Sequence, residues 1–438
     1  MTRKSGYALL TALVAVAALA CTAILMGTGA LGSGLRRPGS VPQIHATADP
    51  AAAGSWTGTW AAAPATAEPG TPQGRPGMSI RDVVHTSIGG NAARIELSNL
   101  FGTAPLILTH VTLARAAAPG SPSASPGSLT ALGFAGLPVV TIPAGGSVLS
   151  DPVRLAVPAA TDLLITLYTP YTSGPVTYHP TARQTSYLAY GDHAGDTDGT
   201  AFTIPSPYWR YVTAVDVWTP GLHGTVVAFG DSITDGITST VGADHRWPDF
   251  LTARLGERPD LPRMGVLDEG ISGNRVLADA APTAPWDGPS ALRRFGRDVL
   301  SRAGVKVVIV ELGINDIIET PHQTDAQAII DGLRQLTREA HAHGIRVLGG
   351  TITPFEGLHG YTPALDAVRE DVNAAIRAGT VFDAVVDFDR ALRDPHHPDH
   401  LLPAFDSGDH LHPTDAGYEA MAQAVNLQDL LGSAPASL

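Results

Sequence analysis

Four short segments of this sequence carry groups that together could move an acyl group. Ser232, in Gly230-Asp231-Ser232, offers a hydroxyl nucleophile, although a serine between a strand and a helix is more often a helix N-cap. Asp409 and His412, in Asp409-His410-Leu411-His412-Pro413, lie three residues apart on a turn into a helix. At that spacing the carboxylate reaches one imidazole nitrogen and leaves the other for a serine hydroxyl, so His412 reads as the general base and Asp409 as its orienter. His410 is the alternative base, but its side chain diverges from that of the adjacent Asp409. Asn315, in Gly313-Ile314-Asn315-Asp316, can donate a side-chain N–H to a developing oxyanion, while an N-cap or Asx turn is its commoner role. Gly273, in Gly270-Ile271-Ser272-Gly273-Asn274, lets backbone N–H groups approach a reacting oxygen; an ordinary strand-to-helix turn would read the same way.

The elements that must position these groups give them weight. After residue 221, apolar strand-like runs at 225–229, 265–269, 305–311, 345–351 and 381–388 alternate with helix-length segments at 247–255, 290–302, 325–343, 362–378 and 414–425. The alternation predicts a three-layer α/β/α domain of about five parallel strands, whose right-handed crossovers bring every strand C-terminus to one edge. Ser232, Gly273 and Asn315 each follow a strand directly, and the Asp409/His412 turn precedes the last helix.

In this order the four segments resemble the four blocks of the SGNH hydrolases, the GDSL esterases and lipases, over about residues 224–431. The resemblance implies a flavodoxin-like catalytic domain with Ser232 as nucleophile and Asp409 and His412 completing a triad. It also implies an oxyanion hole made by the Ser232 backbone N–H, Gly273 and Asn315, and hydrolysis of a carboxylic ester without a metal or cofactor. The α/β-hydrolase pattern fits less well, because Thr234 stands at the last glycine of Gly-x-Ser-x-Gly and Asp409 is not well separated from His412. The rival function is a carbohydrate- or surface-binding protein carrying a vestigial hydrolase domain, and an intact set of four segments speaks against it.

From residue 56 to 220 short alternating runs recur between Gly, Pro and Ser turns, at 93–98, 106–113, 162–168, 176–178 and 211–218. They predict an all-β sandwich domain at 56–220, ahead of the hydrolase domain at 221–434. Trp56 and Trp60 read as core residues of its first strand rather than a sugar-stacking platform. Upstream, Arg3-Lys4 and an uncharged stretch with an apolar centre at 7–26 predict a signal peptide or signal anchor over 1–32, and the Pro/Gly/Ala-rich 33–55 a flexible linker. The expectation is a secreted or extracytoplasmic protein with possible attachment to the membrane through that segment.

The lone Cys21 lies in the apolar leader, so disulfides and thiol catalysis drop out of the folded part. With 28 basic against 41 acidic residues and a net charge of -13, phosphate-backbone binding is a poor fit, and no nucleic acid is expected. The expected partner is an ester substrate, an acylated carbohydrate or lipid. His396-His397-Pro398-Asp399-His400 could look like a metal site, but its prolines hold the segment extended and point the side chains apart. His341 and His343, at the end of a helical run, complement its negative end.

Overall fold

The computed structural model describes residues 54–221 and 224–432, so the leader and most of the linker expected before residue 56 lie outside the described residues. Within them, Val226, Val227, Ala228 and Phe229 have no exposed surface, which an apolar run achieves only as a strand covered on both faces. They form β1 (Gly224–Gly230), at the heart of a sheet with β2 (Met264–Asp268), β3 (Val305–Glu311), β4 (Arg346–Gly350) and β5 (Ala384–Val386). The spatial order is β2-β1-β3-β4-β5 and every neighbouring pair is parallel. Side chains alternate across the sheet. Val227 and Phe229 pack with Val308 and Val310 against α2 (Ala326–Ala342) and α3 (Pro363–Arg377). Val226 and Ala228 pack with Val307 and Ile309 against α1 (Trp247–Gly256) and α4 (Asp415–Ala424) on the other face. This is the α/β/α layering expected, with a switch in strand order between β1 and β3, where doubly wound folds open a crevice at the strand C-termini.

Two elements depart from the expected bounds. The run expected as a strand over 381–388 pairs only through Ala384–Val386, because the Asp383 carboxylate takes the Val347 N–H and Asp387 caps a short helix, Phe388–Leu392. The helix expected over 290–302 is an α-helical turn, Ala291–Phe295, that widens into a π-helical turn, Gly296–Leu300. The wider turn coincides with a buried Asp298 accepting from both Arg294 and Arg297.

The N-terminal half is built of antiparallel sheets. A four-stranded sheet joins Gly54–Ala61, Val212–Pro220, Ala92–Ser98 and Ser147–Leu149, and a six-stranded sheet is centred on Met78–His85 and Asp162–Thr169. Ile95, Leu97, Val215 and Val217 from the first meet Ile80, Leu163, Ile165 and Leu167 from the second in one core. Met78–His85 was not expected as a strand. Arg81 and Asp82 break its apolar pattern, yet both are fully buried, with Arg81 donating to Thr166, Pro122 and Asp196 and lying over the Phe202 ring. Trp60 is buried edge-on against Trp209, and the partly buried Trp56 meets Trp218 in the same way, so the two tryptophans share no platform.

The antiparallel and parallel parts are bonded directly. Gly58 N–H lies 3.2 Å from the Ala303 carbonyl and 3.1 Å from Thr225 Oγ1, and Arg302 bridges Glu96 of one part to Glu269 of the other. No helix among the described residues is long and apolar enough to cross a membrane.

Candidate active site

β1 ends at Gly230, where the chain must turn sharply. A Cβ at Gly230 would fall 2.0 Å from Thr234 Oγ1 and 2.8 Å from the Glu311 carbonyl oxygen, so only glycine lets the next turn fold back on β3. Asp231 caps that turn by accepting from the Ile233 N–H at 3.1 Å, which leaves Ser232 as the first residue of the short helix Ser232–Asp235. The N-cap role weighed for Ser232 thus belongs to Asp231. Ser232 Oγ is 2.8 Å from His412 Nε2, and His412 Nδ1 is 2.7 Å from Asp409 Oδ2. A carboxylate can only accept, so Nδ1 carries the hydrogen and Nε2 presents its lone pair to the serine hydroxyl.

The turn that delivers His412 is held from both sides. Asp409 Oδ1 accepts the backbone N–H groups of Leu411 and His412 at 2.9 and 2.8 Å. Burial alone would raise the Asp409 pKa, but His412 and these N–H groups hold it well below the usual carboxylate range. Thr414 caps α4, Thr238 Oγ1 donates to the Pro413 carbonyl at 2.7 Å, and Asp415 accepts from Thr240 N–H at 2.8 Å, so α4 is docked on the segment that follows Ser232. His410, the alternative base, turns away to Asp406, 2.7 Å from its Nδ1, with a positive φ of 64.

Gly273 has φ 78, and a Cβ there would meet Asp287 Oδ1 at 2.2 Å, so the turn after β2 needs glycine on both counts. Among the described residues, no acceptor lies within hydrogen-bond reach of the Ser232 or Gly273 backbone N–H. Asn315 stands at the first turn of Ile314–Ile318, after β3, and its Nδ2 donates to the Asn274 carbonyl at 3.1 Å, next to Gly273. It therefore makes a long-range contact to the neighbouring loop rather than an Asx turn. The structure brings Ser232, His412 and Asp409 into one hydrogen-bonded series and sets Gly273 and Asn315 on adjoining turns.

Several residues that hold this arrangement escape a reading of the sequence. Arg294, with a fully buried side chain, donates to the carbonyls of Gly230 and Glu269 and to Asn274 Oδ1, tying the ends of β1 and β2 to the Gly273 turn. Asp316 accepts the N–H groups of Val276 and Leu277, and burial pushes its pKa up to about 6. In the sequence Arg294 is one of two adjacent arginines on a helical run and looks solvated; Asp316 is at least flagged by standing beside Asn315. The His396–His400 segment gives only Asp399 to a ligand-spaced cluster among the described residues, with Asp366 and Glu370. His343 Nδ1 donates to the Glu339 carbonyl in the last turn of α2, as expected, whereas His341 pairs with Asp383.

Beneath Ser232, Glu311 at the end of β3 accepts from Thr234 Oγ1 and is 2% exposed. Burial and the neighbouring Asp231 carboxylate raise its pKa well above 4.5, so the folded protein keeps a proton that the unfolded chain releases. Stability contributed by that proton is complete below about pH 4.5 and is lost as pH rises through the folded value. Glu311→Gln should therefore lose less melting temperature than the wild type between about pH 6 and pH 9. Thermal denaturation across that range checks this, and equal slopes for the two proteins would contradict it.

The fold and site define a doubly wound α/β protein with a hydroxyl, an imidazole and a carboxylate in series at its strand ends. Residues 228–420 match the GDSL-like Lipase/Acylhydrolase family, which identifies this part of the chain as a domain of that family of ester-bond hydrolases. Among solved structures it is similar to a putative lipolytic protein of the G-D-S-L family from Desulfitobacterium hafniense, at 20% identity and TM-score 0.35 over 46% of this chain and 96% of that one. Est24, a carbohydrate acetylesterase from Sinorhizobium meliloti, aligns at 17% identity and TM-score 0.37 over 46% of this chain and 95% of its own. The M. smegmatis aryl esterase does so at 18% identity and TM-score 0.37, with the same coverages. No curated protein sequence matches the chain.

Proposed function

We infer that this protein is an exported serine esterase that cleaves carboxylic esters through an acyl-enzyme. The observation that carries the reading is the unbroken series from Ser232 Oγ through His412 to Asp409, with contacts of 2.8 and 2.7 Å. Ser232 Oγ attacks the ester carbonyl carbon as its proton passes to His412 Nε2. Negative charge develops on the carbonyl oxygen, where the N–H groups of Ser232 and Gly273 and the Asn315 side chain serve as donors. Collapse breaks the bond to the alcohol, which leaves with the proton from His412. Water then attacks the acyl-enzyme, His412 takes its proton, and collapse returns that proton to Ser232 Oγ as the acid leaves. Asp409 keeps the imidazole in the required tautomer and balances its transient charge.

A cavity of about 480 Å³ beside this site sets the hydroxyl, amide and guanidinium groups of Thr181, Arg183, Gln184 and Thr185 among apolar side chains, Ile237, Val241 and three prolines included. It adjoins the site through Thr181 Oγ1, 3.4 Å from Ser272 Oγ, and through the Ile237 N–H, which donates to the Ser232 carbonyl. The polar part of that lining can hold the hydroxyl groups of an acylated saccharide, the alcohol we favour. The charged-then-apolar leader supports export. A panel of acetylated saccharides, p-nitrophenyl esters of rising chain length and phospholipids tests the reading. Acetyl esters should be the best substrates, and a preference for long-chain lipids would reverse the assignment.

A further inference from the structure

We propose that His179, carried by the antiparallel half, is a positioning residue for ester cleavage: through Asp235 and Ser272 it fixes the turn that presents the Gly273 N–H. This rests on the reading of Ser232 and Gly273 given above and assigns the antiparallel half a part in the chemistry.

The argument starts from the atoms around the imidazole. His179 Nδ1 lies 2.9 Å from the Ala63 carbonyl oxygen, and Nε2 lies 3.0 Å from Asp235 Oδ1 and 3.2 Å from the Thr181 carbonyl oxygen. All three partners are pure acceptors, so both ring nitrogens must donate and the ring is an imidazolium. Burial opposes that charge, but the Asp235 carboxylate outweighs it and raises the His179 pKa above its ordinary value. The pair is sealed from water, with side chains 5% and 2% exposed.

Asp235 closes the helix that Ser232 opens, and its second oxygen reaches the other side of the site. Oδ2 accepts the Ser272 backbone N–H at 3.0 Å and the Ser272 hydroxyl at 2.6 Å. Ser272 immediately precedes Gly273. One carboxylate thus joins the nucleophile's helix to the turn with the unpaired N–H, and its orientation is set by a cation from the other half of the molecule. An isolated buried carboxylate would be strongly disfavoured, so this position requires a partner such as His179. Oxyanion donors act only when held at the position the developing charge will occupy, and a shift of about 1 Å can cost about 100-fold in rate.

The test compares full-length wild type, His179→Gln, Ser272→Ala and the double variant on p-nitrophenyl acetate, with kcat, KM and melting temperature measured for each. Acylation and deacylation both pass through an oxyanion, so kcat reports the donor geometry whichever step is slow. His179→Gln should lower kcat about 10- to 100-fold with KM within about twofold. Ser272→Ala, which removes only a hydroxyl, should lower kcat in the same sense, and the double variant should add little to His179→Gln because both act through Asp235. A change in melting temperature with kcat intact would make the pair merely structural and overturn the proposal. So would losses in the two single variants that simply multiply. If His179→Gln does not fold, Ser272→Ala decides: an unchanged kcat overturns the proposal. An absence of ester hydrolysis in the wild type would instead remove the reading on which the proposal rests.

Discussion

Ser232→Ala should abolish ester hydrolysis, with a loss of about 10⁶-fold in kcat and a melting temperature close to that of the wild type. The size follows from the geometry. Among the described residues, Ser232 Oγ is the only hydroxyl bonded to His412 Nε2, so its removal leaves the proposed base with nothing to deprotonate but water. The side chain is small and supports no cap, because Asp231 caps the helix, so folding loses little. Removing the imidazole instead, in His412→Ala, should cost about as much, and the double variant should be no worse than either single one, since the two groups act as a unit. Kinetics on p-nitrophenyl acetate at matched protein concentration decide it; a Ser232→Ala enzyme as fast as the wild type would sink the whole mechanism.

Asp409→Asn carries the second large effect, about 10⁴-fold in kcat, and a specific reason for being worse than Asp409→Ala. Asp409 Oδ1 is already committed to two backbone N–H groups, those of Leu411 and His412. An asparagine keeps those bonds only by placing its one oxygen there, which turns its NH₂ toward His412 Nδ1. That nitrogen must then accept, the hydrogen moves to Nε2, and the lone pair facing Ser232 is lost. Alanine removes the wrong donor along with the carboxylate and lets water reach Nδ1, so it should retain about 10-fold more activity than asparagine. The reverse order of the two variants would show that Asp409 does not act by choosing the tautomer.

The strand ends were legible because each joins an uninterrupted apolar run to a glycine and a polar side chain, a contrast that survives in one sequence. The parallel sheet followed from the same contrast. What could not be read is chemistry hidden inside elements. Arg81 and Asp82 break the apolar pattern of Met78–His85, yet it is a central strand of its sheet: distant loop carbonyls take the Arg81 guanidinium, and burial pushes the Asp82 pKa up to about 8. Arg294 poses the same problem on a helix. His179 sits in a three-residue strand, Thr177–His179, and meets Asp235 across 56 positions of chain, a pairing that no local pattern records. In the active-site turns, Asp409/His412 spacing favoured His412 over His410, and the reason is visible in the fold: His410 has its own acid, Asp406.

The chain order of these groups also governs when activity can begin. His412 meets Ser232 across 180 positions of sequence, on a turn held by α4, which is nearly the last element described. On the proposed mechanism, a chain still emerging from the ribosome has its nucleophile, its Gly273 turn and Asn315 long before it has a base. Hydrolytic competence should then be switched on by the docking of α4, and a partly made or C-terminally clipped molecule should be inert toward esters.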